Sequence, residues 1–330
     1  MTDLVTGATG FVGPHLVDAL VRRGVRVRCA VREASRARGL EAKGAEVLGG
    51  SFEDEAFVSR AVQGVDRVFH LAGGGRVSAS SDEGLATLRA ANVAPVAALL
   101  RAMRGGKARF VHFSSISAMG VQIGARLDES TPCRALTPHE IAKRESEEVA
   151  LAEHRDHGTA VVILRPSQIY GPGDVRSEIL KLVRLARRGA VPLFGGGEGR
   201  VPWVYIDDVI DAALLAADSA RAAGRTYIVT DRDSYRFADV VNVIAHELGR
   251  ARGGVVIPRA VAAAGIGVVE ALAKAVGKEP PFTLHRLDSM CGARLLSIDR
   301  ARDELGFEPK VGLDEGMRRT VRWYREQGLV

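Results

Sequence analysis

A short apolar strand, Leu4 to Thr6, runs straight into Thr6-Gly7-Ala8-Thr9-Gly10-Phe11-Val12-Gly13, and a helical pattern begins near Pro14. No other stretch narrows the possible folds so far. Glycines at such a junction let the chain turn sharply and bring backbone N–H groups at a helix N-terminus against a phosphate, where the dipole favours negative charge. The spacing is GxxGxxG rather than GxGxxG, and a glycine triplet alone also serves as a plain turn or cap. Its place at the first strand-to-helix turn of a βαβ unit makes it a dinucleotide signal. Gly7, Thr9, Gly10, Phe11, Val12 and Gly13 are then expected around a pyrophosphate.

The rest of the first half repeats the same unit. Short β-branched or apolar runs at Val25 to Val31, Glu46 to Leu48, Arg67 to Leu71, Arg109 to Ser114 and Ala160 to Arg165 read as strands. Helical patterns at Leu16 to Arg22, Ala86 to Met103 and His139 to His154 lie between them. The expected fold is α/β: a Rossmann-type doubly wound parallel sheet with a smaller C-terminal α/β substrate lobe. Residues 1–165 form the dinucleotide-binding domain, with later segments returning to it, and residues 166–330 supply most of the substrate lobe. At 330 residues, the chain is long enough for both.

Charge and cysteine usage exclude other classes. Forty-six Lys and Arg stand against 40 Asp and Glu, a formal net charge of +6. The basic residues are scattered, with only short clusters such as Arg184, Arg187 and Arg188 and no interleaved aromatics, so nucleic acid is not an expected partner. Cys29, Cys133 and Cys291 are odd in number and far apart, which suggests neither a disulfide framework nor a metal site. A reduced cytoplasm is the expected compartment. The N-terminus enters a strand too early to hold an export signal. The apolar stretch Val261 to Val276 carries Glu270 and Lys274 and is too short to span a bilayer. It is at most an amphipathic surface or lid helix, which leaves peripheral membrane contact open.

The second strand ends in Arg28-Cys29-Ala30-Val31-Arg32-Glu33, where an NAD-binding strand usually ends in a carboxylate for the ribose 2′-hydroxyl. A guanidinium at Arg32 can pair a 2′-phosphate bidentately, so NADP(H) is favoured. If the strand ends one residue later, Glu33 could hold the ribose, and NAD(H) remains possible.

These residues together resemble the extended short-chain dehydrogenase/reductase family, also called the NAD-dependent epimerase/dehydratase family, and within it the 3β-hydroxysteroid dehydrogenase branch. The resemblance spans nearly the whole chain. It rests on the three glycines, His70-Leu71-Ala72-Gly73, Asn92, Phe113-Ser114-Ser115-Ile116, Leu164-Arg165-Pro166, Tyr170-Gly171-Pro172-Gly173, Trp203 to Val209, and Asp299 to Pro309. It implies an NAD(P)-dependent oxidoreductase acting on CH–OH or C=O groups. It also places Leu71, Ala72, Gly73 and Pro166 along the cofactor, and Ser51 and Phe52 near the adenine, where the family often has Asp rather than Ser. The family pairs through two helices, so Ala86 to Met103 and His139 to His154 are candidates for a homodimer interface.

The family's proton donor is the Tyr of a Tyr-x-x-x-Lys helix, assisted by Ser. Here the stretch reads Thr137-Pro138-His139-Glu140-Ile141-Ala142-Lys143, so Ser115 and Lys143 match while His139 occupies the Tyr position. Beside a lysine, imidazole is mostly uncharged at neutral pH and a poor acid. Three readings remain open. His139 acts directly or through water on an easily reduced ketone; or Ser115 and a substrate group supply the hydrogen bonds while His139 shapes the pocket; or redox catalysis is lost and the protein is a nucleotide-binding regulator.

Substrate is expected between the strand tips and the second lobe, against Gly75, Ile116, Met119, Gln168, Phe194 and Trp203. That lining is largely apolar and suggests a bulky hydrophobic ketone or alcohol: a sterol, polyketide, terpenoid or prenylated aromatic. A nucleotide sugar, which Arg176, Arg184 and Arg200 could contact, is the competing class.

Overall fold

The computed structural model describes residues 1–74, 82–175, 178–276, 280 and 282–330. Gly75 and Arg176 therefore lie outside the described residues.

Seven strands form one sheet: β1 (Thr2–Thr6), β2 (Arg26–Val31), β3 (Glu46–Gly49), β4 (Arg67–His70), β5 (Arg109–Phe113), β6 (Ala160–Pro166) and β7 (Arg225–Val229). They lie in the order β7-β6-β5-β4-β1-β2-β3, and each neighbouring pair is parallel. The winding reverses between β1 and β4, which opens a crevice at their carboxyl ends. Helices cover both faces, as a parallel sheet requires, because its strands are apolar on both sides. On one face Leu16, Val17 and Leu20 of α1 (Val12–Arg22) pack in a core with Val111, Leu164 and Val209. On the other, Phe57 of α2 (Glu55–Val62), Leu99 of α4 (Ala94–Met103) and Ala150 of α5 (Pro138–His157) pack on Val68, Phe110 and Ile163.

A buried ion pair ties β1 to β4 across the point where the winding reverses. Arg67 on β4 reaches Asp3 on β1 with Nε at 3.0 Å from each carboxylate oxygen and Nη2 at 2.6 Å from Oδ2.

Where a single helix was expected from Ala86 to Met103, there are two, α3 (Asp82–Asn92) and α4. Pro95 stands in the first turn of α4, and a residue without an N–H cannot bond back to the preceding turn. The break matters because it ends α3 at Asn92, beside the crevice.

Outside this sheet the chain builds further short parallel pairs. Gln168–Tyr170 runs parallel to Trp203–Tyr205, Val191–Phe194 to Gly254–Ile257, and Arg126–Leu127 to Leu295–Leu296. Helix α6 (Ile206–Asp218) then leads to β7 at the sheet's edge. Asp207 and Asp208 fall in its first turn, where the dipole favours negative charge, and Asp208 does more than that. Buried, its carboxylate accepts the amides of Lys310 and Val311 at 2.8 and 3.2 Å and clamps the C-terminal segment.

Candidate active site

The glycine turn has the geometry of a phosphate cradle. Gly7 has φ +68°, and a Cβ there would stand 2.6 Å from the Ala72 nitrogen; one on Gly13 would stand 2.5 Å from the Ala8 backbone. Gly10 donates its amide to the Gly7 carbonyl at 2.9 Å. Helix α1 begins at Val12 with no side-chain cap and no acidic residue in its first turn, so its N-terminal amides and dipole face outward uncompensated. Thr9 and Gly10 are exposed, Phe11 and Val12 half-buried. Phe11 meets His15 edge-on, and His15 Nε2 lies 2.9 Å from the Pro172 carbonyl oxygen, tying α1 to the loop after β6.

At the other end of the crevice Arg32, Ser51, Phe52, Ala72 and Gly73 line one open cavity of about 260 Å³. Glu53, Gly74, Thr87, Ala90, Ala91, Ala94 and Pro95 complete it. Of these seven only Gly74 stands out in the sequence, as a candidate lining residue; the small residues of the helices carry no chemical signature. The two arginines near the end of β2 differ sharply. Arg28 is occupied: its Nε donates to Glu46 at 2.9 Å and its Nη1 to the carbonyls of Arg60, Ala61 and Gln63. Arg32 is the exposed one at the cavity wall.

Lys143 stands at the Gly73 side of this cavity, where a Cβ on Gly73 would lie 3.5 Å from its Nζ, and its helix also carries His139. A capping box starts α5: the Thr137 hydroxyl accepts the Glu140 amide while the Glu140 carboxylate accepts the Thr137 amide. This fixes the register that sets His139, Lys143 and Glu147 one turn apart on a single face. Lys143 donates to the Phe113 carbonyl at 3.4 Å, and burial pushes its ammonium down to about 8 against the upward pull of Glu147. Burial, then the Lys143 charge, lowers His139 below its ordinary 6.5, while Glu140 opposes them. His139 is neutral at pH 7, and its Nδ1 is buried without a hydrogen-bond partner. Ser115 is half-buried, accepting the Ser117 amide and donating to the Ser117 hydroxyl, both at 3.1 Å. Its neighbour Ser114 is buried and spent: its hydroxyl donates to Glu147 at 2.5 Å.

Glu147 and Arg165 back this group. The Arg165 guanidinium grips the Glu147 carboxylate with Nε at 2.9 Å and Nη2 at 2.6 Å, both residues buried. Glu147 lies four residues beyond Lys143, so helical spacing was a signal that could have found it. Arg294 gave none. It reaches from the far end of the chain to donate to the Ile116 and Gly120 carbonyls, both at 2.9 Å, and so shapes the turn that follows Ser115.

The substrate candidates do not share one surface. Ile116 and Met119 are buried against Leu127, Ile228 and Leu296. Trp203 is buried in the core, tilted on Tyr170. Pro166, expected along the cofactor rather than the substrate, is buried at the end of β6. Gln168 is exposed, and Phe194 is half-buried against Phe282 with ring centroids 5.8 Å apart. Arg184 and Arg200 each already donate to a backbone carbonyl, of Leu329 and Ser234 respectively.

The model of the NAD dependent epimerase/dehydratase family matches residues 4–230. The chain belongs to the NAD-dependent epimerase/dehydratase family. A 2-alkyl-3-oxoalkanoate reductase of Stenotrophomonas maltophilia is 31% identical, over 97% of this chain and 98% of its own. Sterol demethylase protein B of Methylococcus capsulatus is 28% identical over the full length of both. The crystal structure of gox2253 superposes with a TM-score of 0.84 at 26% identity, covering 100% of this chain and 99% of the other.

This epimerase/dehydratase family member is an NAD(P)-dependent enzyme, and its residues fit the cofactor. Gly73 shows the fit best. A Cβ there would stand 2.7 Å from Asn92 Oδ1 and 3.5 Å from Lys143 Nζ, so only glycine leaves this space open. Asn92 Oδ1 is itself buried with no hydrogen-bond partner, an orphaned acceptor at the place where Lys143 points.

Proposed function

We propose that the protein is an NADPH-preferring reductase or dehydrogenase working between a ketone and an alcohol on a bulky hydrophobic small molecule, such as a sterol, polyketide, terpenoid or prenylated aromatic of secondary metabolism. The observation that carries the reading is the meeting of Lys143 Nζ and the orphaned Asn92 acceptor over the open Gly73, with His139 one turn before Lys143 on α5. Two relatives named for alkyl-oxoalkanoate and sterol chemistry support an apolar substrate.

A bound nicotinamide supplies the hydride. The chain supplies everything else. Glycines 7, 10 and 13 and the α1 amides hold the pyrophosphate, Arg32 pairs the 2′-phosphate, and Lys143 holds the ribose end with its charge. Ser115 and His139 donate hydrogen bonds to the carbonyl oxygen. A neutral imidazole cannot give up its only proton outright, so His139 works as a relay: it releases the proton on one nitrogen as it takes one on the other from water or from the Lys143 ammonium. In this division of labour residues 1–165 hold the cofactor and residues 166–330 most of the substrate, in a cytoplasmic enzyme.

The test is NADPH consumption across a panel of hydrophobic ketones and nucleotide sugars, with dissociation constants for NADPH and NADH. Turnover of apolar ketones and tighter NADPH, with preference reversed in Arg32→Glu, is expected. Turnover of nucleotide sugars alone would refute the substrate class. A His139→Ala variant as active as the parent would remove the relay.

A further inference from the structure

One helix of this fold is built inside out. Helix α7 (Arg259–Ala275) turns its charged side toward the protein. The Arg259 guanidinium pairs with Asp288 of α8 (Leu284–Cys291) at 2.5 Å, and the Glu270 carboxylate accepts the Leu284 amide at 3.1 Å. Ala262 is buried on the same side. The opposite side is apolar and open: Val261, Val268, Val269, Leu272 and Val276, at the end of the helix, are 42% to 67% exposed. At 3.6 residues per turn these five fall within a stripe about 100° wide, the width of a face that a surface helix ordinarily buries. Val255 and Val256, on the strand immediately before α7, are 56% and 61% exposed. Seven of the exposed large hydrophobic side chains thus belong to one 22-residue stretch of chain.

Charge says what covers the stripe. Between residues 250 and 288 the sequence holds six basic residues (Arg250, Arg252, Arg259, Lys274, Lys278, Arg286) and three acidic ones (Glu270, Glu279, Asp288), an excess of three within a chain of net +6. Arg250, Arg252 and Arg286 are exposed. An apolar stripe with exposed arginines on the segments before and after its helix matches the boundary between acyl chains and anionic headgroups. A second copy of the chain would instead bring two positively charged patches together. None of the described helices is long and apolar enough to cross a membrane, so the helix would lie on the surface.

We propose that α7 and the preceding strand dock the protein on an anionic lipid bilayer, with the valine and leucine stripe among the acyl chains and the flanking arginines at the headgroups. The inference goes beyond the proposed reductase activity and does not depend on it.

The full-length protein is mixed with vesicles of phosphatidylcholine, with or without about 30% phosphatidylglycerol, and sedimented. It pellets with the anionic vesicles, not with the neutral ones, and salt releases it. The double variant Val268→Asp, Leu272→Asp binds at least about tenfold more weakly while keeping its NADPH affinity. Should that variant fold poorly, Arg250→Glu with Arg252→Glu removes the charge and leaves the stripe, and it loses binding as well. Protein that stays in the supernatant with both vesicles overturns the proposal, as do variants that bind like the parent. A parent dimer that becomes a monomer in Val268→Asp, Leu272→Asp by sedimentation velocity overturns it too, and assigns the stripe to a second copy.

Discussion

Lys143 is held between two opposed influences, burial that disfavours its charge and the Glu147 carboxylate that favours it. With its value pushed down to about 8, it is charged at neutral pH and discharges under mild alkali. His139, lowered below 6.5, is already neutral there. The pH profile of kcat/KM is therefore expected to be flat through neutrality and to fall above about pH 8; a rate still climbing at pH 9 would exclude a protonated Lys143. The same depression acts on stability. The unfolded chain, in which lysine keeps its ordinary value of 10.5, binds more protons than the fold between about 8 and 10.5, so stability rises with pH across that window. Urea unfolding at several pH values tests this, and Lys143→Met flattens that slope. Glu147 is a different case. Replacing it with Gln strands the buried Arg165 guanidinium without its counter-charge, which should cost about 3–5 kcal/mol in chemical denaturation. Neither effect could be read from composition, because each depends on what lies within a few ångströms of the side chain.

At the scale of the element, the start of α1 is the feature most tightly determined. A methyl group on Gly13 would enter the Ala8 backbone, so Gly13→Ala is expected to lose NADPH binding in a fluorescence titration and to lower the unfolding midpoint. Gly24→Ala makes the control: φ is +72° but the space is open, so it costs about 1 kcal/mol and leaves cofactor affinity unchanged. The same affinity in both variants would contradict the assigned cradle. Elements of this kind are legible in sequence because their causes are local. The glycine turn is visible, and so is the helix carrying His139 and Lys143, although it starts one residue earlier than the expected His139 because Pro138 opens its first turn and Thr137 caps it. Ends set by distant partners are not legible. Helix α6 stops where Arg109, from β5, donates to the carbonyls of Ala216, Ala217 and Ser219, more than a hundred residues away.

For the whole molecule, the site is an intersection of segments far apart in the chain: the first turn, the ends of β2 and β4, the turn after β5, and one face of α5. A dinucleotide bound across them ties these segments together and binds only the folded state. At about a hundredfold excess over its dissociation constant it should add about 2.7 kcal/mol and raise the unfolding midpoint by several degrees in scanning calorimetry. A midpoint unmoved by either nucleotide would argue against the whole assignment. Glycine spacing and strand periodicity along the chain determined the parallel sheet and the sharp glycine turn that opens α1, since each is written in neighbours of fixed spacing. Tertiary structure alone decided that Arg28 is consumed by carbonyls while Arg32 stays open, that Trp203 and Met119 are buried, that Arg294 shapes the turn beside Ser115, and that α7 faces its valines outward. The physical reason is the same in each case. Burial and pairing are properties of the space around a side chain, and the chain fills that space with residues that no local pattern names.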